Sequence, residues 1–303
     1  MYDILIVGGG TAGLTAALYA RRAGRSVLVL EGGGFGGQIT ASPLVENYPG
    51  IPSISGMAFA DALTGQALDL GADAELERVA AARRTGDGFV LTAGGRSFSG
   101  RALVLATGAK HRKLGLSGEE RLVGNGVSYC AVCDGAFFAG EDVAVAGGGD
   151  SALQAALFLS KRCGRVYLVH RREEFRAEPC HVAALKKREN ITLCLSRQVT
   201  ALEGADSLTG VELTAAGGVR ERLPVTGLFV AVGQEPDNRV FAELAELDAA
   251  GYVRAGEDCR TSTPGVFAAG DCRTKELRQL TTAAADGAQA AAAACGWLDQ
   301  AGL

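Results

Sequence analysis

The chain has 303 residues, of which 48% are hydrophobic, so it can bury a sizeable core and is long enough for about two domains. The formal net charge is −4 and the basic residues form only short clusters, such as Arg171 and Arg172, which argues against a nucleic-acid or anionic-membrane surface. No apolar run approaches the ~20 residues that span a bilayer, and the N-terminus does not resemble a signal peptide, so we expect a soluble, cytoplasmic protein.

The chain contains one internal repeat. Residues 3–31 (DILIVGGGTAGLTAALYARRAGRSVLVLE) align with residues 142–171 (DVAVAGGGDSALQAALFLSKRCGRVYLVHR), with one residue inserted in the second copy. Each copy reads as a short apolar strand, a glycine turn, an amphipathic helix and a second apolar strand. This pattern is typical of a βαβ unit in a parallel sheet.

Each copy also ends with a buried strand and a glycine, at 103–108 (LVLATG) and 228–233 (LFVAVG), after hairpin-like stretches at 88–98 and 210–223. The remaining FAAGD at 267–271 and the Ala-rich helical stretch 281–295 are too short for a third domain. We expect them to complete the first domain. The prediction is an α/β protein with two Rossmann-like, three-layer domains, the second inserted in the first, at 1–112 with 240–303 and at 115–236.

Both copies carry a dinucleotide-binding pattern directly after a strand. The glycines permit a tight turn, let a pyrophosphate approach the backbone and pack helix on strand, while the helix N-terminus faces the phosphates. A merely tight strand-to-helix turn is the alternative, and two aligned copies make it much less favoured. The pattern residues are Gly8, Gly10 and Gly13 in the first copy and Gly147, Gly149 and Ala152 in the second.

The residue that ends the second strand of each copy distinguishes the two ligands. Glu31 can accept hydrogen bonds from ribose hydroxyls, which suits FAD or NAD. The aligned residue is Arg171, and guanidinium groups suit the 2′-phosphate of NADPH. The alternative is a solvated basic strand end, in which Glu173 and Glu174 pair with the arginines.

Eight cysteines in a chain of this size do not form a disulfide scaffold, and six of them are scattered singly. Cys130 and Cys133 form a CxxC pair. Zinc would need two further ligands and no second CxxC exists, so redox use fits better, because CxxC thiols exchange disulfides readily. Asp134 follows at once and could carry protons, or it could simply cap a helix or form a turn.

These motifs resemble the bacterial-type, low-molecular-weight NADPH-dependent thioredoxin reductases, over essentially the whole chain. The similarity rests on GGGTAG near the start, GGQ at 36–38, ENYPG at 46–50, ATG at 106–108, CAVCDG at 130–135, GGGDSA at 147–152, HRREEFRA at 170–177, GVFAAGD at 265–271 and the following Arg278-Gln279. Thr11 stands where that family commonly has proline, which would only pre-set a turn. Some relatives have lost the NADPH fingerprint, but here it is intact.

The resemblance implies a site residue by residue. Cys133 lies against the flavin, Cys130 attacks the disulfide of the partner, and Asp134 is the acid/base, with Asp271 on the ribityl chain of FAD. The expected FAD residues are Gly8, Gly10, Thr11, Ala12, Gly13, Glu31, Gly37, Gln38, Asn47, Thr107, Gly108, Gly270, Asp271, Arg278 and Gln279. The expected NADPH residues are Gly147, Gly149, Asp150, Ser151, Ala152, His170, Arg171, Arg172, Arg176 and Gly233, and no metal site is expected.

The resemblance further implies a homodimer that reduces a thioredoxin-like protein disulfide. It implies a rotation of the NADPH domain about hinges near 110–115 and 234–239, which exchanges nicotinamide for disulfide at the flavin. Three alternatives stay open: a different disulfide partner such as a peroxiredoxin system or a glutaredoxin-like protein, a ferredoxin-type NADP reductase, and a nucleotide-sensing or scaffold protein.

Overall fold

The computed structural model describes residues 1–42 and 44–303. The helices are α1 (Thr11–Arg22), α2 (Gly56–Asp69), α3 (Glu119–Leu122), α4 (Ala131–Asp134), α5 (Asp150–Leu159), α6 (Pro179–Leu185) and α7 (Leu280–Gln300). The strands are β1 (Tyr2–Val7), β2 (Val27–Leu30), β3 (Asp73–Glu75), β4 (Val79–Thr85), β5 (Gly88–Ala93), β6 (Arg96–Leu105), β7 (Ala109–His111), β8 (Val127–Ser128), β9 (Val143–Ala146), β10 (Val166–His170), β11 (Ile191–Leu195), β12 (Arg197–Glu203), β13 (Gly210–Ala215), β14 (Arg220–Leu223), β15 (Gly227–Val230), β16 (Gln234–Pro236) and β17 (Val266–Ala268).

The chain divides into two compact units, residues 1–110 with 235–303 and residues 111–234. Residues 111 and 112 therefore belong to the second unit and residues 235–239 to the first. The segments β7 and β16, where the chain passes between the units, pair as a two-stranded sheet. No helix in the described part of the chain is long and apolar enough to cross a membrane.

The first unit is built on a seven-stranded sheet. Its parallel part runs β3-β2-β1-β6, with β17 also parallel to β6, while β6, β5 and β4 pair antiparallel. The strand predicted near FAAGD is β17, and the helix predicted at 281–295 is α7, so the late segment does complete the first sheet. The second hydrophobic stretch of the repeat, β2, lies parallel to β1 as expected.

The central parallel strands are apolar at every position over 4–7, 27–30 and 102–105, because both of their faces are covered there. Ile4 and Ile6 face a core that includes residues of α1 and α7, whereas Leu5 and Val7 face a second core on the other side of the sheet. This alternation follows from the two-residue period of a strand. Strands β1 and β6 pair in parallel, so their C-terminal ends lie together beside the turn that precedes α1.

The second unit repeats the plan on a five-stranded sheet in the order β11-β10-β9-β15-β8, all parallel. A separate antiparallel sheet contains β12, β13 and β14. The hairpins predicted at 88–98 and 210–223 correspond to β5–β6 and β13–β14. The α/β class with parallel sheets is confirmed.

Candidate functional site

The first glycine turn joins β1 to α1 with very little spare room. A Cβ added at Gly13 would lie 1.8 Å from the carbonyl oxygen of Gly8, so only glycine lets the helix approach the strand this closely. Gly10 is different, because an added Cβ would meet nothing nearer than 3.8 Å. No side chain caps the start of α1, whereas Ser55 caps α2. The turn therefore presents backbone N–H groups to an open space, as phosphate binding requires.

Glu31 lies at the end of β2, beside this turn. Its carboxylate accepts N–H bonds from Gly9 at 2.6 Å and from Gly33 at 2.7 Å. These bonds fix the carboxylate next to the glycine turn. Because a carboxylate has about four acceptor sites, it can still accept from ribose hydroxyls.

The remaining FAD candidates come together from distant parts of the first unit. Asn47 donates to Gln279 Oε1 at 3.1 Å, and the guanidinium of Arg278 lies 4.4 Å from the ring centroid of Tyr252. Gln38 donates to the carbonyl of Ala109. The others line the same region: Thr11, Ala12 and Gly13 start α1, Gly37 begins the 3₁₀ turn at 37–41, Thr107 and Gly108 follow β6, and Gly270 and Asp271 follow β17.

Two buried side-chain oxygens or nitrogens in the described chain lack a hydrogen-bond partner, and one of them is Asp271 Oδ1. Burial raises the pKa of Asp271, while Lys275 and Arg278 act in the opposite direction. A buried carboxylate oxygen without a partner is rare in native proteins and indicates a missing donor. Hydroxyl groups of a ribityl chain are donors, so Asp271 and the open turn at Gly10 fit FAD.

The second glycine turn joins β9 to α5 in the same way. A Cβ added at Gly147 would lie 2.3 Å from the Ala231 carbonyl oxygen and 2.7 Å from the Ala152 Cβ, while Gly149 has no atom within 4 Å of that position. No side chain caps α5, which begins with Asp150 and Ser151. Gly233 lies beyond β15 and accepts the N–H of Arg112 at 3.0 Å. An open, uncapped helix start is therefore present here too.

The segment after β10 folds back over this turn. His170 is buried, stacks on Phe175 with 5.6 Å between ring centroids, and lies where any side chain on Gly148 would clash. Burial lowers the pKa of His170, and the neighbouring arginines act in the same direction. The N–H of Arg176 donates to the Gly148 carbonyl at 2.8 Å. These contacts bring the arginine segment to the second glycine turn.

Arg171, Arg172 and Arg176 are exposed. Among the described residues none of them forms an ion pair, so the alternative in which Glu173 and Glu174 neutralise the arginines is not observed. Three unpaired guanidinium groups beside an open glycine turn fit the 2′-phosphate of NADPH better than the uncharged ribose of NADH.

Cys130 and Cys133 form a disulfide, with 5.3 Å between their Cα atoms. Cys130 is the N-cap of α4, and its sulfur accepts the N–H of Cys133 at 3.2 Å. The sulfurs are bonded to one another in this state, so they are not metal ligands. The short helix brings the two residues of a CxxC pair within bonding distance, as the redox interpretation requires.

Asp134 ends α4 and stands at the N-cap position of the 3₁₀ turn at 135–138, but its side chain forms no capping hydrogen bond there. Its Oδ2 accepts a 2.6 Å hydrogen bond from the Ser128 hydroxyl, and Oδ1 is the second buried oxygen without a partner. Burial raises the pKa of Asp134, and the Ser128 bond partly offsets this effect. A carboxyl group with a raised pKa and one free oxygen next to a disulfide is suited to proton transfer.

Comparison with known proteins identifies the family to which the chain belongs. Residues 2–287 match the family described as pyridine nucleotide-disulphide oxidoreductase. The chain belongs to this family. A thioredoxin reductase of Mycolicibacterium smegmatis is 43% identical over 301 residues, covering 98% of this chain and 97% of that protein. A bifunctional thioredoxin reductase/thioredoxin of Mycobacterium leprae is 42% identical over 302 residues, covering 98% of this chain and 66% of that protein. The structure of a Streptococcus pyogenes thioredoxin reductase matches with a TM-score of 0.93 and 37% identity, covering 99% of each chain.

As a member of this oxidoreductase family the chain is an enzyme, and its cofactors are FAD and NADPH. Its other six cysteines have a different character from the CxxC pair. Burial raises the pKa of five of them, to about 11 for Cys163 and to about 12 for Cys259, which makes these thiols poor nucleophiles. Cys180 is exposed and lies with Glu178 and His181 in a surface group whose ligand atoms are within 4.8 Å of one another.

Several residues of this oxidoreductase site were missed by the sequence analysis. Ser128 holds Asp134, Asn238 accepts the Thr107 hydroxyl at 2.6 Å, and Asp286 accepts the Gly270 N–H at 2.9 Å. Each of the three forms a hydrogen bond with a predicted site residue, but none of them belongs to a recognised sequence motif. Ser128 ends the two-residue strand β8, two residues before the cysteine pair, and only this proximity to the CxxC motif could have drawn attention to it.

Proposed function

We propose that this oxidoreductase transfers electrons from NADPH, through FAD and the Cys130–Cys133 pair, to the disulfide of a thioredoxin-like protein. The observation that carries the proposal is a closed CxxC disulfide followed directly by a buried carboxyl group, in a unit with its own nucleotide turn. The names of the relatives support thioredoxin as the partner. The Mycobacterium leprae relative is itself named a bifunctional thioredoxin reductase/thioredoxin.

We propose that FAD binds the first unit and NADPH the second. When bound, FAD accepts a hydride equivalent from the nicotinamide and passes two electrons to a disulfide. Gly10 and the start of α1 would face the pyrophosphate of FAD, Glu31 its ribose and Asp271 its ribityl chain. Gly149 and the start of α5 would face the pyrophosphate of NADPH, with Arg171, Arg172 and Arg176 on the 2′-phosphate.

The residues of the second unit would carry the disulfide chemistry. Two electrons open the Cys130–Cys133 bond to two thiolates, and Asp134 would supply one proton to the sulfur of Cys130 while Cys133 stays a thiolate. In the second half, Asp134 takes that proton back and the Cys130 thiolate attacks the partner disulfide. A Cys130–partner bond forms and one partner thiolate leaves. Cys133 then breaks the mixed disulfide, restores the internal bond and releases the second partner thiolate.

Both nicotinamide and disulfide need access to one flavin. We propose that residues 111–234 rotate as a body between the two half-reactions, about the predicted hinges at 110–115 and 234–239. The expected homodimer stays a prediction. A reducing, cytoplasmic location is likewise proposed, because six of the eight cysteines remain unpaired thiols.

The test is steady-state NADPH oxidation with thioredoxins, glutaredoxins and small disulfides offered in turn. We expect thioredoxin to be reduced with the highest kcat/KM, and Cys130→Ser and Cys133→Ser each to abolish turnover. Cys180→Ser is the matched control, since it removes an exposed thiol outside the site and should leave turnover unchanged.

A Cys130→Ser/Cys133→Ser enzyme that still reduced thioredoxin at the wild-type rate would contradict the proposal and favour a ferredoxin-type reductase. A purified protein with no flavin absorbance would favour the scaffold alternative.

A further inference from the structure

Ser128 is the last residue of β8 and is 4% exposed. Its hydroxyl oxygen lies 2.6 Å from Asp134 Oδ2, 3.0 Å from the backbone nitrogen of Cys130 and 3.3 Å from the Cys130 carbonyl oxygen. The hydroxyl therefore connects the strand to the cysteine pair and to the carboxyl group at once.

The hydroxyl has a single hydrogen, so the distances decide where it is donated. The carboxylate contact at 2.6 Å has the length of an O–H···O⁻ bond, whereas the carbonyl contact at 3.3 Å is long for a hydroxyl donor. The Cys130 carbonyl already accepts the N–H of Asp134 at 3.1 Å. Ser128 therefore donates to Asp134 Oδ2 and accepts the N–H of Cys130 on its free lone pair.

We propose that Ser128 is a positioning residue that holds Oδ2 of Asp134 and leaves Oδ1 as the oxygen that exchanges a proton with Cys130. The inference rests on the proposed acid/base function of Asp134. It follows from Oδ1 being buried and without a partner while Oδ2 is bonded. By donating to the carboxylate, Ser128 also favours its ionised form, which keeps the pKa of Asp134 below the value that burial alone would give.

Within residues 111–234 no charged neighbour of Asp134 competes with this effect. The helix α5 packs against α4, and its ionisable residue Asp150 pairs with His181 at 2.8 Å. The adjacent Tyr129 donates to Glu119 instead. The turn at 135–138 contributes no ionisable side chain. Burial and the Ser128 hydrogen bond are thus the two influences on the carboxyl group of Asp134.

The experiment compares wild-type holoenzyme with Ser128→Ala and Ser128→Thr in single-turnover reduction of the disulfide by NADPH, across a pH series. If protonated Asp134 supplies the proton, the rate falls as pH rises through its pKa. Loss of one charge-assisted hydrogen bond should move that limb of the Ser128→Ala profile upward by about 1 pH unit. Ser128→Thr keeps the hydroxyl and should restore the wild-type profile. Flavin content and circular dichroism establish that each variant is folded.

A purely structural role for Ser128 would lower the rate at every pH without moving the limb, and that outcome would overturn the inference. Asp134→Asn tests the acid/base function of Asp134 separately from the positioning function of Ser128. If Asp134→Asn keeps the wild-type pH profile, the acid/base function of Asp134 fails. If Asp134→Asn removes the limb but Ser128→Ala leaves it in place, only the positioning function of Ser128 fails.

Discussion

The hydroxyl of Tyr129 donates a 2.9 Å hydrogen bond to Oε1 of Glu119, which ties the residue preceding Cys130 to the start of the second unit. Burial and this bond together raise the pKa of Tyr129. The same carboxylate accepts three backbone N–H groups, from Leu114, Gly115 and Leu116, at 2.8 to 3.3 Å. Glu119 thus fixes the end of the proposed hinge at 110–115 and, through Tyr129, the segment that carries the redox pair.

Glu119→Gln should lower the free energy of unfolding by about 2 kcal/mol. The amide has one acceptor oxygen where the carboxylate has two, and its NH₂ group would face backbone donors. Urea unfolding would measure the loss, and amide hydrogen exchange should be fastest to change at 114–116. Glu120→Gln is the control, because Glu120 is exposed and pairs with the side chain of Lys113 at the surface. Equal effects of the two substitutions would contradict the anchoring role of Glu119.

The contact between Glu119 and Tyr129 is of a kind that the sequence could not reveal. Local sequence patterns were enough to predict the repeat, both glycine turns and the strand and helix at the end of the chain. Each of these lies within a few residues of its predicted position. No local motif distinguishes Glu119 from the other glutamates, because one of its partners, Tyr129, is ten residues away. Asn238 and Asp286 act on Thr107 and Gly270 across still longer separations. Such contacts depend on tertiary packing and leave no local pattern.

A second prediction concerns the buried ion cluster behind Gly270. Asp286 accepts two bonds from Arg273, each at 2.8 Å, and one from Lys275 at 2.9 Å. Burial would raise the pKa of Asp286, but these hydrogen bonds outweigh it and hold the pKa below its usual value. A depressed carboxyl pKa gives stability that is complete above the unfolded-state pKa of about 4 and is lost as pH falls through the folded-state value.

Asp286→Asn should therefore cost about 3 kcal/mol at neutral pH, because it removes the buried carboxylate that pairs with both Arg273 and Lys275. It should also flatten the loss of stability below about pH 4. Since Asp286 accepts the Gly270 N–H, FAD should bind more weakly as well. Thermal unfolding of apoprotein over a pH series and flavin titration measure the two effects. Glu257→Gln also removes a contact of Arg273, but from an exposed carboxylate, and should change little.

A third prediction concerns nucleotide choice. Replacing both Arg171 and Arg172 with Gln should raise the KM for NADPH by at least about tenfold, because charge-assisted contacts to the 2′-phosphate are lost. The KM for NADH should hardly change. The matched control is Lys187→Gln/Arg188→Gln, which removes two exposed charges elsewhere in the same unit. If the first pair affected NADPH and NADH equally, the arginines would act only through the general surface charge.

The last prediction separates folding from binding within a single glycine turn. Gly147 has φ +151°, and a side chain there would meet the Ala231 carbonyl at 2.3 Å, so Gly147→Ala should destabilise the protein by at least about 2 kcal/mol. Gly149 has φ −100° and no atom within 4 Å of an added Cβ, so Gly149→Ala should fold with wild-type stability. If the pyrophosphate of NADPH occupies that open space, the added methyl group should still weaken NADPH binding about tenfold. Thermal unfolding and NADPH titration measure the two quantities separately. A stable Gly149→Ala enzyme with unchanged NADPH affinity would mean that the phosphates bind elsewhere, because nothing else in the turn competes for that space.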